Sequence, residues 1–168
     1  MEAVFDISPM EVRISRVVNQ GSVRFIPQNR ETLRPVMWLS MYEAYLSNKH
    51  RSHNAVYDSI QSLNFLTTWA GKNKIDLDLI LFKGEMLETF QVNAFGAWLK
   101  HRGKLRGEGK ISVSLINKIL DKSSLLFRWF AKQYSTFEGR SSDRAVKLKL
   151  YLDHIKELFS EQRVKEIT

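Results

Sequence analysis

The stretch ISVSLINKILDKSSLLFRWFAKQY, from Ile111 to Tyr134, decides how the chain folds, because it holds both the clearest helical period and the sharpest contrast of charge. Spaced at roughly 100° per residue, Ile116, Ile119, Leu120, Leu126, Phe127, Phe130, Ala131 and Tyr134 fall on one face. Asn117, Lys118, Asp121, Lys122, Arg128 and Lys132 fall opposite. The expected product is an amphipathic helix with a core side and a cationic side.

Charge gathers around this helix. From Trp98 to Tyr134 there are nine basic residues (Lys100, Arg102, Lys104, Arg106, Lys110, Lys118, Lys122, Arg128 and Lys132) against Glu108 and Asp121, a net of +7 where the whole chain carries +8. An excess of that size concentrates polyanions at one surface, the electrostatic footprint of nucleic-acid binding. A solvated helix face beside a basic loop is the competing reading; the continuity of the run through a loop and into the helix favours nucleic acid. On that reading the cations converge on one wall that grips a duplex.

Composition removes several other chemistries. With no cysteine there is no disulfide, thiolate nucleophile or cysteine-ligated zinc. The four histidines, His50, His53, His101 and His154, stand at no ligand spacing with a glutamate, so neither metal nor cofactor is expected. No apolar run nears the roughly 20 residues a membrane-spanning helix needs, and the acid-containing start MEAVFDISPMEV is not a signal peptide. The chain therefore reads as soluble and cytoplasmic, without a membrane partner. At 168 residues, 43% of them hydrophobic, it suits one domain with an appended segment.

Upstream, residues 1–34 read as an N-terminal arm or hairpin. Val12, Ile14, Val17 and Val18, then Val23 and Phe25 beyond Asn19-Gln-Gly-Ser22, suggest a short β-hairpin that either reaches a second ligand site or simply covers the core. Pro35 suits a first helical position, and Trp38, Leu39, Tyr42, Tyr45 and Leu46 then mark a first helix up to Lys49. Ser52 or Asn54 can cap a second helix, residues 54–71, with Val56, Ile60, Leu63, Leu66, Thr67 and Ala70 on one face and Phe65 and Trp69 on another. Gly71 and the Lys72-Asn-Lys74 run end it.

Residues Ile75 to Phe82 read as a connector with a short helical turn. Asp76 and Asp78 lack a third acid, and a capping role outweighs a metal-nuclease site. A third helix is expected from Glu85 to Arg102, burying Leu87, Phe90, Ala94, Phe95, Trp98 and Leu99. Gly103-Lys-Leu-Arg-Gly-Glu-Gly-Lys110 departs from a Walker spacing and has Ile111 where Ser or Thr would reach magnesium, so it reads as a flexible cationic loop.

Beyond the fourth helix, Ser135 to Ser142 is a polar linker. Ser141, Ser142 or Asp143 can cap a fifth helix whose Leu148, Tyr151, Leu152, Ile155, Leu158 and Phe159 line a narrow stripe that needs a surface to lie on. Arg163 to Thr168 trails off without a stop signal, as expected of a chain cut before a further domain. Trp38, Trp69, Trp98 and Trp129 recur at 31, 29 and 31 residues, but their surroundings do not match and they read as core aromatics. Trp129, beside Leu125 at the edge of the cationic face, either packs on a helix or rests on a sugar or base.

This order of helices resembles the core-binding, SAM-like N-terminal domain of the tyrosine recombinases, or phage integrases. The likeness rests on Tyr57 and Ser62-Leu-Asn-Phe-Leu-Thr-Thr-Trp69 in the second helix and on Phe95-Gly-Ala-Trp-Leu99 in the third. In the fourth it rests on Ser114-Leu-Ile-Asn-Lys-Ile-Leu120 and Leu126-Phe-Arg-Trp-Phe-Ala131. It covers residues 35–134. The fold it implies is all-α: a four-helix SAM-like bundle with an added C-terminal helix over 135–168 and the short N-terminal hairpin.

The function it implies is gripping double-stranded recombination-site DNA through the second and fourth helices, with self-association on DNA by the full-length protein. Carried onto this chain, the contacts are Arg51, Ser52 and His53 at the head of the second helix and Lys104, Arg106 and Lys110 in the loop. In the fourth helix they are Ser112, Ser114, Asn117, Lys118 and Lys122, with Asn117 or Lys118 reading a base edge. The family's His-x-x-Arg box and late tyrosine nucleophile do not occur here, so no strand cleavage by this chain alone is expected. The alternative is a stand-alone helical interaction or regulatory module that docks on protein through the fifth helix and Trp129.

Overall fold

The computed structural model describes residues 12–19, 22–29, 37–49, 52–82, 86–134 and 140–166, with the strands and Ser141 described by their backbone. These residues form six α-helices and one two-stranded sheet. The chain divides into two compact units, Met1–Leu77 and Asp78–Thr168, and the division falls inside the 35–134 stretch that sequence alone suggests is one domain.

In the first unit, β1 (Val12–Asn19) pairs antiparallel with β2 (Ser22–Asn29), in a register that sets Val18 opposite Val23 and Asn19 opposite Ser22. The paired backbones lie beside α1 (Met37–Asn48) and α2 (His53–Lys72). Pro35, proposed as the helix start, lies outside the described residues. Trp38, Leu39, Tyr42 and Leu46 are buried on α1, and Val56, Ile60, Leu63, Leu66 and Ala70 on α2. Each of the leucine, isoleucine and valine side chains contributes about 1.5–3 kcal/mol when fully removed from water.

The two ends of α2 are chemically defined. Of the two candidate caps, Ser52 is the one used, its Oγ accepting from Ala55 N at 3.2 Å. At the other end Gly71 does not stop the helix. Ile75 N bonds Ala70 O at 2.9 Å and Lys74 N bonds Gly71 O at 3.3 Å, the paired closure in which one residue turns left-handed. Lys74 takes that conformation at φ 55°, and Asn73 Nδ2 adds a bond to Trp69 O at 2.8 Å.

α3 (Leu77–Leu81) is the short turn expected of the connector, with Asp78 in its first turn. The second unit is then built on α4 (Thr89–Gly103), α5 (Val113–Tyr134) and α6 (Ser141–Gln162). α4 begins later than expected because Glu88 is its cap residue, with its N–H bonded to Gln91 Oε1 at 2.9 Å. Leu87, Phe95 and Leu99 are buried as expected. Phe90 and Ala94 are not: Phe90 is 64% exposed, the two share, four positions apart, a face of α4 turned to solvent, and Trp98 is half-buried.

The stripe on α6 finds its surface within this unit. Tyr151, Ile155, Leu158 and Phe159 are buried, Phe159 stacks on Phe127 of α5 at 5.9 Å, and the Tyr151 hydroxyl accepts from Leu87 N at 3.0 Å. Gln162 donates to Asn93 Oδ1 at 2.8 Å and accepts from Lys100 Nζ at 3.2 Å. From these partners, α6 runs parallel to α4 and antiparallel to α5. Phe82, Phe130 and Tyr134 form a three-ring cluster with centroid separations of 5.3 to 5.8 Å.

Candidate nucleic-acid interface

The candidate interface is built from the turn between α4 and α5 and from the open side of α5. α4 ends in Lys100, His101 and Arg102, cations that suit the negative end of a helix dipole. Gly107 and Gly109 then take φ values of 74° and 87°, which residues with a Cβ rarely adopt, so these two positions let the loop reverse. Lys110 N bonds Gly107 O at 3.4 Å and Ile111 N bonds Arg102 O at 3.4 Å, which ties the returning strand of the loop to the end of α4. Lys104, Arg106 and Lys110 are all exposed on this loop, with Glu108 among them.

Ser112 closes the first turn of α5 by accepting from Leu115 N at 3.1 Å, and no acid stands in that turn. A long helix presents backbone N–H groups and partial positive charge at this end, and here three loop cations and the exposed Ser114 adjoin it. Along the helix, Ser114, Lys118, Lys122, Leu125, Trp129 and Lys132 share the side away from the buried arc. Lys118 and Lys122 are half-buried, Leu125 is 42% exposed, and Trp129 meets Phe130 edge-on at 4.8 Å. Phe130 is its neighbour in the same helix, so that edge contact decides between neither of the two readings of Trp129, whose ring is half-buried.

Asn117 is placed otherwise than the sequence suggests. It is 3% exposed, and its amide exchanges two bonds of 2.7 Å with the backbone of Val164. The apolar spacing alone sets it on the cationic side, but α6 and the residues after it cover that flank and widen the buried arc. An amide engaged in this way does not present itself to a base edge, so of the two candidate readers Lys118 alone stays near the surface.

The expected convergence of cations is therefore partial. Lys100 is turned to Gln162, and the Arg102 guanidinium lies 5.2 Å from the Trp98 ring centroid. Arg128 bonds back to Ser124 O at 3.3 Å. In the first unit, Ser52 and His53 are exposed at the start of α2, Ser52 as its cap, while Arg51 lies outside the described residues. The other eight candidates belong to the second unit.

Sequence reasoning missed Arg163. It follows the last turn of α6 and makes an ion pair with Asp121 of α5, whose carboxylate holds the guanidinium above its ordinary pKa, with a smaller push from Glu166. No local pattern announces a partner 42 positions away. Among the described residues no three His, Asp or Glu side chains gather as a metal ion requires, and no helix is long and apolar enough to cross a membrane. Compared with protein-family models, curated proteins and solved structures, the chain matches none.

Proposed function

We propose that the chain is the DNA-binding portion of a site-specific tyrosine recombinase, a SAM-like core-binding domain that holds duplex DNA and leaves strand cleavage to a catalytic domain. The observation that carries this reading is the cationic tract of the second unit. It joins exposed Lys104, Arg106 and Lys110 to an acid-free helix start at Ser112 and to Lys118, Lys122 and Lys132 along α5. Lys and Arg there neutralise phosphates, while Ser112, Ser114 and the first N–H groups of α5 offer short bonds to phosphate oxygens.

The helix order and the residues shared with that family support the recombinase part of the reading. For the alternative, protein docking through α6 and Trp129, the surface on α6 is narrower than its stripe suggests: Tyr151, Ile155, Leu158 and Phe159 are covered within their own unit, while Val146 and Leu150 stay exposed. The test is an anisotropy titration of a labelled duplex of about 20 bp, with an unlabelled single strand as competitor. The reading expects saturable duplex binding at about 50 mM salt; no binding there excludes it.

A further inference from the structure

The first two residues after α6 are docked on α5. Arg163 pairs with Asp121, and one residue later Val164 is held at both backbone groups by Asn117, a turn closer to the start of α5. The tail therefore runs toward Ser112 and the basic loop. Asp121 is the one acid of α5, and it stands beside Lys118 and Lys122 on the sequence of that helix. Left bare, its carboxylate would repel a polyanion from the middle of the cationic stripe.

We infer that Arg163 is a further phosphate-contacting residue of this face, with Asp121 as its positioning residue and Asn117 as the anchor that delivers the tail. A guanidinium has five N–H donors in a rigid fork, so a carboxylate that takes one edge leaves the other free to meet a phosphate oxygen. The Arg163 side chain is 42% exposed, consistent with a free edge. Docking the tail thus both pairs the single acid of α5, which stays 53% exposed, and adds a cation oriented by it, so the face reaches its full positive charge with the tail in place. The inference rests on the DNA-binding reading and adds to it one residue outside the charge-rich stretch, and a coupling between the tail and the duplex.

The sign of one substitution separates this from general electrostatics. Removing an acid from a cationic face by itself strengthens polyanion binding. If Asp121 positions Arg163, Asp121→Asn instead weakens binding to a random-sequence duplex of about 20 bp, and the same change strengthens binding or leaves it unaltered when made in Arg163→Gln. Arg163→Gln itself is expected to lower affinity on the order of fivefold at about 100 mM salt and to reduce the salt slope by about 0.9, one phosphate contact. Arg163→Lys, which keeps the charge without the fork, is expected to keep the slope with intermediate affinity. Circular-dichroism melting of each variant checks that the fold is intact.

If the unaltered chain binds no duplex at about 50 mM salt, the DNA-binding reading falls and takes the inference with it. If it binds but Arg163→Gln leaves affinity and slope unchanged, or Asp121→Asn strengthens binding in the otherwise unaltered chain, only the inference is overturned.

Discussion

The side-chain amide of Asn117 holds both backbone groups of Val164, its Nδ2 donating to the carbonyl oxygen and its Oδ1 accepting from the N–H, each at 2.7 Å. The match is that of a peptide edge to an amide, and it fixes where the chain leaves the helical core. Asn117→Ala leaves two part-buried backbone groups without this partner and is expected to destabilise the protein by about 1–3 kcal/mol. Asn117→Asp sets a carboxylate oxygen against the Val164 carbonyl and costs at least as much. Urea denaturation measures both, and a loss within error of zero for either contradicts the role of this contact.

Tyr151 ties α6 to the residue before the α4 cap. Its hydroxyl is pushed above the ordinary tyrosine pKa by burial, partly offset by the bond from Leu87 N. A folded-state value above the unfolded one, which lies near ~10, means that the native state keeps its proton longer. The contribution to stability is therefore fully present below that pH and is lost as pH rises through the folded pKa. Tyr151→Phe is expected to lower stability at neutral pH by about 1–3 kcal/mol, because Leu87 N loses its acceptor. The variant is also expected to show a shallower decline above pH ~10, which denaturation at pH 7, 9 and 10.5 reads directly.

Position along the basic run separates engaged cations from exposed ones. Lys100 is engaged with Gln162, whereas Lys110 is exposed beside the start of α5. Lys110→Gln is expected to weaken duplex binding on the order of threefold or more at about 100 mM salt, and Lys100→Gln to leave it within twofold. Equal losses from the two would mean that net charge alone sets affinity.

The loop geometry is tested at its glycines. Gly107 and Gly109 sit in left-handed backbone at φ 74° and 87°, so Gly→Ala at each is expected to cost about 1–2 kcal/mol from backbone strain. A Cβ at Gly107 meets nothing within 4 Å, which leaves strain as the sole cause there. Unchanged melting of Gly107→Ala contradicts the conformation assigned to the loop.

What could be read from the residues, and what could not, follows from the range of the interactions. Helix periods are local, so the buried faces of α1, α2 and α5 and the stripe of α6 follow from spacing, and the cationic loop follows from its glycines. Boundaries are set by competing local bonds, which is why Gly71 stays inside a helix closed by Lys74 and why α4 waits for Glu88. The burial of Asn117 and the Asp121–Arg163 pair depend on contacts 42 to 47 positions apart, which no local pattern encodes. The candidate site is legible as a charge tract, whereas the Asp121–Arg163 pair is not.

The most direct test of the central claim is the salt dependence of duplex binding, read as log Kobs against log salt between about 50 and 200 mM. About five to eight phosphate contacts predict a slope of about −4.5 to −7, reduced by nearly 3 in the Lys104→Gln, Arg106→Gln, Lys110→Gln triple variant. A slope near zero, or a slope that the triple variant leaves unchanged, would contradict the assignment of this loop and helix as the DNA-holding face.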